Sequence, residues 1–314
     1  FFLLLNYMIK VFILFFLLVL LILLNKNITK EEFKEHKIKI SIASMITKHP
    51  DFDYWVDYHI NKLGIDKLFL RIENAPEYKK IVDKYPNNIV ATFHTKEDID
   101  TKHNYLTIMD RQKEHVNSSI EKALKLNIDY LFHIDIDELI HIEDVKNYNK
   151  PYLLRKYLES VKNEFTCIHF KNYEAVFPNK ENKCFNTNKF IDCRKGGCLS
   201  YANGKSVGRI NKGARFRGPH YFSGKTYDMN ENISILHFDS CTFNQWKTKF
   251  NLLKDTNEEK MKKIPFPFYK NSIKKLKKCD KQSENTCLND LNSYYSEQKI
   301  NPFHDSKNLL EFNT

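Results

Sequence analysis

Three carboxylates follow a short apolar run in the stretch DYLFHIDIDELIHI, which covers residues 129–142. The run YLFHI is typical of a buried strand, and Asp135, Asp137 and Glu138 come directly after it. Charge is costly at the exit of a buried strand unless something pairs with it. Carboxylate oxygens suit Mg²⁺ or Mn²⁺, and these ions also bind substrate phosphates. The spacing therefore predicts a divalent cation that clamps a diphosphate.

Asp-x-Asp also fits two other interpretations. In an aspartyl phosphotransferase the first Asp is a nucleophile and the second a general acid. That pattern prefers a small hydroxyl or branched residue where this chain has Leu139, and it stands near the start of a fold instead of after four strands. In a purely structural role, the acidic residues cap a helix that begins at DELI. The position of the motif in the fold has to separate these interpretations.

Predicted strands and helices alternate up to the carboxylates. Strand patterns cover residues 38–45, 67–72, 89–93 and 130–134, and helical patterns fall between them, the last over about 105–126. This alternation predicts an α/β fold with a Rossmann-like, mostly parallel sheet and flanking helices. Ligands of such sheets bind at the carboxyl ends of the strands. Three loops are therefore expected to meet at this edge. The first contains Thr47 and Lys48, the second Glu73 and Asn74, and the third the two aspartates.

The pattern changes after residue 144. Strands are predicted over 165–170 and 233–238, and SVGRI reads as a weaker strand. A helix follows at TFNQWKTKFNLL, where Thr242 and Gln245 have capping-box spacing. The tail after Lys260 lacks clear periodicity and is expected to be extended or partly disordered.

The 314-residue chain carries a net charge of +11, from lysines that are densest near the C-terminus. Such a charge suits anionic partners such as nucleoside diphosphates or lipid headgroups, although a solvated lysine-rich surface explains it as well. The lysines are not interleaved with an ordered aromatic platform, so nucleic-acid binding is not expected.

The segment VFILFFLLVLLILL, residues 11–24, is apolar without a break. A full membrane span needs about 20 residues, so this helix has to recruit upstream residues or sit in a thin membrane. The alternative is the apolar core of a signal peptide. No small-residue cleavage site follows it. We therefore predict a transmembrane anchor over residues 1–25, which makes a single-pass membrane protein, and a short stalk over 26–37.

The orientation of this anchor stays open. Lysines are more numerous after the apolar segment than before it, which by the positive-inside rule places the large domain in the cytoplasm. Seven cysteines and sequons at Asn117 and Asn232 fit instead a luminal domain in the Golgi or the endoplasmic reticulum. Cys279 and Cys287 are close enough to bridge, and the odd cysteine count leaves a free thiol.

The chain resembles one enzyme group. HIDIDELI resembles the Asp-x-Asp element of metal-dependent glycosyltransferases with the GT-A fold, and MITKHPDFDYWVDYHINKLGIDKLFLRIEN resembles the opening of the family-2-like and family-92 types. DRQKEHVNSSIEKAL, GKSVGRI, GPHYF and ILHFDS match later elements in the same order, over roughly residues 38–250. Two departures stand out. His49 and Pro50 replace the usual Asn-Glu, and an aromatic-Gly-Ser element is present only as KNYEAVF.

The resemblance implies an inverting hexosyltransferase that uses a UDP-sugar, with galactose the commonest donor sugar, and a glycan or glycoprotein acceptor. It implies a GT-A domain over residues 38–258, a basic extension over 259–314, and Mn²⁺ (or Mg²⁺) as cofactor. Asp135 and Asp137 are the implied metal ligands, with His237 as the first choice for a completing histidine and His220 as the second. The implied nucleotide-sugar-binding residues are Thr47, Lys48, Glu73, Asn74, Gln112, Asp135, Lys205 and Arg209.

Inverting transfer needs a carboxylate that takes the proton of the acceptor hydroxyl. Glu174 and Asp239 are the candidate catalytic residues for this step. A phosphotransferase and a membrane-anchored sugar-binding module without turnover stay as alternatives. The first predicts a covalent aspartyl phosphate, and the second predicts that Asp137→Ala leaves ligand binding intact.

Overall fold

The computed structural model describes residues 16–17, 38–99, 107–143, 149–178, 183–195, 197–229, 231–254, 266–280, 283–300 and 309–312. The chain divides into two compact units, Phe1–Lys37 and Ile38–Thr314. The predicted anchor and stalk lie outside the described residues, apart from Phe16 and Leu17. Among the helices that are described, none has both the length and the apolar character that crossing a bilayer requires.

The second unit is a mixed α/β structure. Its strands are β1 (Ile40–Ile46), β2 (Lys67–Glu73), β3 (Ile89–His94), β4 (Tyr130–His133), β5 (Glu138–Ile142), β6 (Cys167–Phe170), β7 (Asn172–Ala175), β8 (Lys189–Asp192), β9 (Lys205–Arg209), β10 (Phe216–Gly218), β11 (Tyr221–Phe222), β12 (Thr226–Met229), β13 (Ile233–His237) and β14 (Leu309–Glu311). Its α-helices are α1 (Phe52–Asp57), α2 (Lys79–Val82), α3 (Ile108–Lys125), α4 (Lys150–Ser160), α5 (Phe243–Lys254), α6 (Pro267–Cys279) and α7 (Glu284–Tyr295).

The larger sheet has seven strands in the order β12-β6-β9-β4-β1-β2-β3. β1 pairs in parallel with β2 and β4, β2 pairs in parallel with β3, and β12 pairs in parallel with β6. Only β9 runs antiparallel to its neighbours in this sheet. Helices α1, α2 and α3 lie in the connections between the parallel strands, as right-handed β/α units require. The predicted α/β fold with a mainly parallel sheet is confirmed.

A second sheet of five strands, in the order β14-β8-β7-β13-β5, begins immediately after the aspartates. Residues 138–140 of the DELI segment lie in β5, so the alternative interpretation of the acidic residues as a helix cap does not apply. β5 pairs antiparallel with β13 and sets Glu138 opposite His237. This pairing is long-range and brings together two segments that lie far apart in the chain.

Buried hydrogen bonds fasten helix α1 and the turn after it to β5 of the second sheet. The Trp55 indole N–H donates to the carbonyl of Glu138 at 2.8 Å, and the Tyr58 hydroxyl donates to the carbonyl of Ile140 at 2.9 Å. The helix continues as a π-helical turn over Tyr58–Lys62, and Gly64 follows with a φ of 66°. The sequence pattern predicts this helix and its stop, because apolar residues at helical spacing precede a glycine that tolerates positive φ.

The C-terminal segment differs from its prediction as an extended or partly disordered tail. Helices α6 and α7 pack on α5 in a separate apolar core. Trp246, Phe250 and Leu253 of α5 contact this core, and Tyr295 of α7 is fully buried in it. The lysine-rich α6 keeps its apolar residues on this inner face, and the many lysines mask that periodicity. Helix α4 is also absent from the sequence-based prediction, although Asn149 caps it at 3.4 Å and a proline follows in its first turn.

Candidate active site and metal centre

Asp135 and Asp137 lie in the connection between the two sheets. β4 ends at His133 and β5 begins at Glu138, so the motif occupies the carboxyl end of a central strand. Because β9 runs antiparallel to β4, its first residue, Lys205, lies at the same end. The fold thus places a lysine against Asp135, which precedes it by 70 residues in the chain.

The side chain of Lys205 is fully buried between two carboxylates. Its ammonium lies 2.6 Å from Asp135 Oδ2 and 3.1 Å from Glu138 Oε2. Burial opposes the charge on Lys205, but the carboxylates outweigh that effect and raise the pKa of its amine. Burial also opposes ionisation of Asp135, yet Lys205 holds the pKa of that carboxyl below its ordinary value. Lys205 and Asp135 are therefore both charged at neutral pH, whereas burial raises the pKa of Glu138 above its ordinary value.

Glu138 is a buried member of the same network. It accepts hydrogen bonds from the Tyr201 hydroxyl and, at 2.7 Å, from the backbone N–H of Asp135. Gln112 of α3 donates to the other oxygen of Asp135 at 3.2 Å. Asp135 is therefore held by three protein groups, while a third of its side chain stays exposed to the crevice.

A second cluster contains Asp137, His237 and Asp239. Each side chain offers one ligand atom, and these atoms lie within 4.8 Å of one another. His237 Nε2 is 3.7 Å from Asp137 Oδ2. The backbone N–H of Phe238 donates to the carbonyl of Asp137 at 2.8 Å, which fixes the end of β13 against the Asp-x-Asp loop. The side chain of Asp137 is 23% exposed, so an ion can reach the cluster from solvent.

One oxygen in this cluster fits a cation particularly well. Asp239 is fully buried, and its Oδ1 accepts hydrogen bonds from Lys249 at 2.6 Å and from Ser240 at 2.9 Å. Its Oδ2 has no hydrogen-bond partner among the described residues. A buried unpaired carboxylate oxygen is costly, and a bound cation would satisfy it. Two carboxylates and one imidazole form a donor set that suits Mn²⁺.

The charges in the cluster act on one another. Burial disfavours the imidazolium of His237, but the Asp137 carboxylate outweighs this effect and raises the pKa of the ring. Burial likewise disfavours the charge on Asp239, yet Lys249 holds the pKa of that carboxyl below its ordinary value. Asp239 is thus ionised at neutral pH, as a metal ligand has to be.

His220, the second choice for a metal-binding histidine, is not part of this cluster. Its Nδ1 donates to the carbonyl of Gly204 at 2.8 Å, and its ring packs 4.5 Å from that of Tyr201. Burial lowers its pKa to about 4, so the ring is neutral under ordinary conditions. Of the two histidines, the geometry favours His237.

The residues predicted to line the nucleoside lie at the expected edge but differ in availability. Thr47 and Lys48 are exposed after β1, and Lys48 pairs loosely with Glu77 at 3.4 Å. Asn74 is exposed directly after β2. Glu73 is buried and accepts from Arg71 at 2.7 Å and Arg111 at 2.9 Å. Glu73 thus serves an internal ion-pair group, whereas the other three side chains are open to a ligand.

Arg209 lies at the opposite end of β9 from Lys205, beside the start of β4. Its guanidinium is buried and donates to the Tyr130 hydroxyl and to the backbone carbonyls of Leu158, Val161, Lys162 and Phe165. The structure therefore separates it from the predicted phosphate site, and the antiparallel direction of β9 is the reason. Strand direction is not readable from the local pattern SVGRI.

Both candidate catalytic carboxylates are engaged by lysines. Glu174 accepts from Lys299 at 3.1 Å and, through its second oxygen, from Ser200 at 2.9 Å. Asp239 is paired with Lys249, as described above. A general base works best with a pKa near the operating pH and with access to the acceptor. The burial of both residues favours supporting and ligand roles over proton abstraction.

His49 is a site residue that sequence reasoning passes over. It is buried directly after β1, and its Nδ1 accepts from the backbone N–H of Asp51 at 3.3 Å. The ring proton is therefore on Nε2, which has no hydrogen-bond partner in the described part of the chain. Burial lowers the pKa of His49, while the charges of Asp137 and Asp51 oppose that shift. The only signal in the sequence is that His49 departs from the Asn of the resembling family.

Six of the seven cysteines form disulfides, which pair Cys184 with Cys241, Cys193 with Cys198, and Cys279 with Cys287. Cys167 is free and buried. Cys279 and Cys287, which the sequence places close enough to bridge, are joined, and Cys167 is the free thiol expected from the odd cysteine count. The first bridge fastens the segment directly after Asp239 to the loop that follows β7.

No protein-family model matches the chain. Two proteins of Arabidopsis thaliana with the name glycosyltransferase-like are similar to it. One is 24% identical over 234 residues, which is 60% of this chain and 51% of the relative. The other is 22% identical over 231 residues, 59% of this chain and 43% of the relative. The match thus spans about half the length of these curated relatives.

Among solved structures, a 4-diphosphocytidyl-2C-methyl-D-erythritol synthase from Anaerococcus prevotii aligns with 63% of this chain and 92% of its own. Its sequence identity is 13% and the TM-score is 0.30. A score of this size does not define a shared fold.

Proposed function

We propose that the chain is a metal-dependent glycosyltransferase of the GT-A type, which transfers a hexose from a UDP-sugar to a hydroxyl of a glycan or glycoprotein. The cluster of Asp137, His237 and Asp239 at the end of the central strand carries this proposal. The name of the two Arabidopsis relatives and the order of the matching motifs support it. Galactose is the donor sugar that we propose to test first.

Within this proposal, Asp137, His237 and Asp239 hold Mn²⁺ or Mg²⁺. A divalent cation bound there would neutralise the charge that develops on the departing nucleoside diphosphate. Asp135 has a different role, because Lys205 and Gln112 fix its orientation. A carboxylate has about four acceptor positions. We assign the remaining capacity of Asp135 to a ribose or sugar hydroxyl of the donor.

Thr47, Lys48 and Asn74 lie exposed at the same edge of the sheet, and we assign them to the nucleoside and phosphates of the donor. The family resemblance suggests transfer with inversion, which requires a base near the acceptor. Glu174 and Asp239 are both paired with buried or half-buried lysines, and we assign neither as that base.

The three disulfides support a location in an oxidising compartment, since such bridges are rare in the reducing cytosol. We therefore propose a domain in the lumen of the Golgi or endoplasmic reticulum, anchored by residues 1–25 through the stalk 26–37. This proposal opposes the orientation that the lysine count predicts. The catalytic domain of residues 38–258 would then act together with the C-terminal extension 259–314.

The test is donor hydrolysis by the full chain with a panel of UDP- and GDP-sugars, with and without Mn²⁺. We expect release of nucleoside diphosphate that depends on Mn²⁺ and falls at least about ten-fold in Asp137→Asn. Asp83→Asn is the matched control, because Asp83 is an exposed carboxylate of the surface pair with Lys79. Turnover that is indifferent to Mn²⁺, or equal in the wild type and Asp137→Asn, would contradict the proposal.

A further inference from the structure

The buried side of His237 contacts a hydrogen-bonded chain that leads to the C-terminal segment. His237 Nδ1 lies 3.0 Å from the hydroxyl of Ser200, and that hydroxyl lies 2.9 Å from Glu174 Oε2. Glu174 Oε1 in turn accepts from the ammonium of Lys299 at 3.1 Å. All four residues are at most 6% exposed, so water does not compete for these contacts.

The strengths of the hydrogen bonds decide where the protons lie in the series from His237 through Ser200 to Glu174. A serine hydroxyl has one proton, and it can point to Glu174 or to His237. Hydrogen bonds to an ionised acceptor are roughly twice as strong as neutral ones, so the proton points to Glu174. Ser200 Oγ is then the acceptor for His237, and Nδ1 of the ring carries the proton.

This tautomer leaves the lone pair of His237 on Nε2. Nε2 is the atom that faces Asp137 Oδ2 at 3.7 Å, on the side of the proposed metal ligands. Histidines that bind metals commonly donate their other N–H to an oxygen acceptor, which fixes the ring and its tautomer. The contacts of Ser200 and Glu174 have this form.

The oxygens of Glu174 are occupied in a way that supports such a role. Besides the Ser200 hydroxyl, Oε2 accepts from the backbone N–H groups of Leu199 at 3.0 Å and Ser200 at 3.1 Å. The ammonium of Lys299 compensates the buried charge on the other side. A carboxylate with this many fixed donors does not rotate away, so the acceptor that it presents to Ser200 is constant.

We propose that Ser200 and Glu174, held by Lys299 of the C-terminal segment, are positioning residues that present His237 Nε2 to a divalent cation. The inference rests on the proposed metal-dependent function and adds to it that the C-terminal extension sets the affinity of the metal centre. Two contacts between the C-terminal segment and the residues around His237 support this inference. Lys299 reaches Glu174, and the Tyr295 hydroxyl donates to the carbonyl of Ser240 at 2.9 Å.

The experiment measures Mn²⁺ binding to the full chain by electron paramagnetic resonance of the free ion, without nucleotide. Ser200→Ala removes the acceptor for His237 Nδ1, and Lys299→Met removes the cation that holds Glu174. We expect each variant to bind Mn²⁺ about ten- to hundred-fold more weakly, as for other outer-shell partners of metal ligands. Ser41→Ala is the matched control, because Ser41 is a buried serine whose hydroxyl donates to the Tyr130 carbonyl at 3.2 Å.

Ser200→Ala and Ser41→Ala each lose one buried hydroxyl hydrogen bond, so a purely structural role predicts similar losses of thermal stability and unchanged Mn²⁺ affinity in both. Weaker binding in Ser200→Ala with wild-type affinity in Ser41→Ala supports the positioning role. Wild-type affinity in Ser200→Ala overturns it, whatever the behaviour of Lys299→Met.

A second measurement separates this inference from the proposed function. In the metal-free Asp137→Asn chain at pH 8, ¹⁵N spectra of labelled histidine report which ring nitrogen of His237 carries the proton, with His237→Gln for assignment. We expect the proton on Nδ1, and a proton on Nε2 would overturn the inference. A wild-type chain that binds no Mn²⁺ would refute the metal centre itself, and the ring proton would then decide the role of Ser200 and Glu174.

Discussion

Acid should destabilise this protein through His59, a histidine that belongs to neither of the two clusters described above. The residue is fully buried in the π-helical turn after α1. Its Nδ1 donates to the carbonyl of Trp55 at 2.8 Å, and Nε2 has no hydrogen-bond partner among the residues that the structure describes. Burial lowers its pKa to about 3 because it disfavours the charged ring, and the hydrogen bond to the Trp55 carbonyl only partly opposes this effect.

The sign and size of the effect follow from the two pKa values. The unfolded chain takes up the proton near 6.5, whereas the folded chain does so only near 3. Below pH 6.5 the unfolded state therefore binds more protons, and stability falls as pH decreases through the window from 6.5 to 3. The loss is about 1.4 kcal/mol per pH unit, or about 2.7 kcal/mol at pH 4.5. Above pH 7.5 the residue makes no pH-dependent contribution.

The perturbation is His59→Phe, which keeps an aromatic ring and removes the titration. At pH 7.5 we expect it to cost about 1 kcal/mol, for the lost hydrogen bond to Trp55. Between pH 7.5 and pH 4.5, the free energy of unfolding of the variant should rise by about 2.7 kcal/mol relative to that of the wild type. Urea unfolding followed by the fluorescence of Trp55 and Trp246 measures both values. Tyr58→Phe is the neighbouring control, because it loses a buried hydroxyl but no group that titrates in this range.

The refuting result is specific. If His59→Phe differs from the wild type by the same free energy at pH 7.5 and pH 4.5, the folded protein does not hold His59 neutral, and the reasoning from its burial fails. A pH-dependent difference of the same size in Tyr58→Phe would also refute it, since acid would then act on α1 through another group.

Three further predictions concern the two clusters and the disulfides. Lys205→Met should lower the free energy of unfolding by about 3–5 kcal/mol, because Asp135 and Glu138 lose their buried cation; an unchanged urea midpoint would contradict this. Asp239→Asn should weaken Mn²⁺ binding at least about ten-fold in the titration described above, and equal affinity would remove Asp239 from the proposed ligands. Replacing Cys184 and Cys241 by alanine should cost about 4 kcal/mol, against about 2 kcal/mol for Cys193 and Cys198, since the closed loops have sequence separations of 57 and 5 residues. Thermal unfolding of the two double variants measures which disulfide contributes more to stability. A larger loss of stability in the variant without Cys193 and Cys198 would contradict the prediction.

Local sequence patterns were sufficient for the first half of the fold. The strands β1 to β4 and helix α1 follow from runs of apolar residues whose period differs between strand and helix. Their alternation also implies parallel pairing, which in turn places Asp135, Asp137, Thr47 and Asn74 at one edge. Helices α4, α6 and α7 are absent from the sequence-based prediction. Lysines mask the apolar face of α6, whereas α4 carries Leu153, Leu154 and Leu158 at helical spacing and is therefore readable from the pattern.

The role of each site residue was less accessible than its position. Lys205 and Arg209 share one strand, yet one contacts Asp135 and the other serves backbone carbonyls at the far end of the sheet. Glu174 and Asp239 are acidic residues near predicted strand ends, which is all that the sequence reports. Their lysine partners, Lys299 and Lys249, come from elements packed on the sheet, and no local pattern indicates those contacts.

The sequence by itself determined the alternation of strands and helices and the position of Asp-x-Asp at the end of a buried strand. These features depend on the periodicity and polarity of residues that are neighbours in the chain. Only the tertiary structure decided that His237 and not His220 lies beside Asp137, and that Asp239 joins them, because β5 and β13 are paired by long-range backbone hydrogen bonds. It also decided that Ser200, Glu174 and Lys299 form a series of hydrogen bonds that begins at His237 Nδ1. Such contacts depend on strand register and packing, which are properties of the whole fold and not of any one segment.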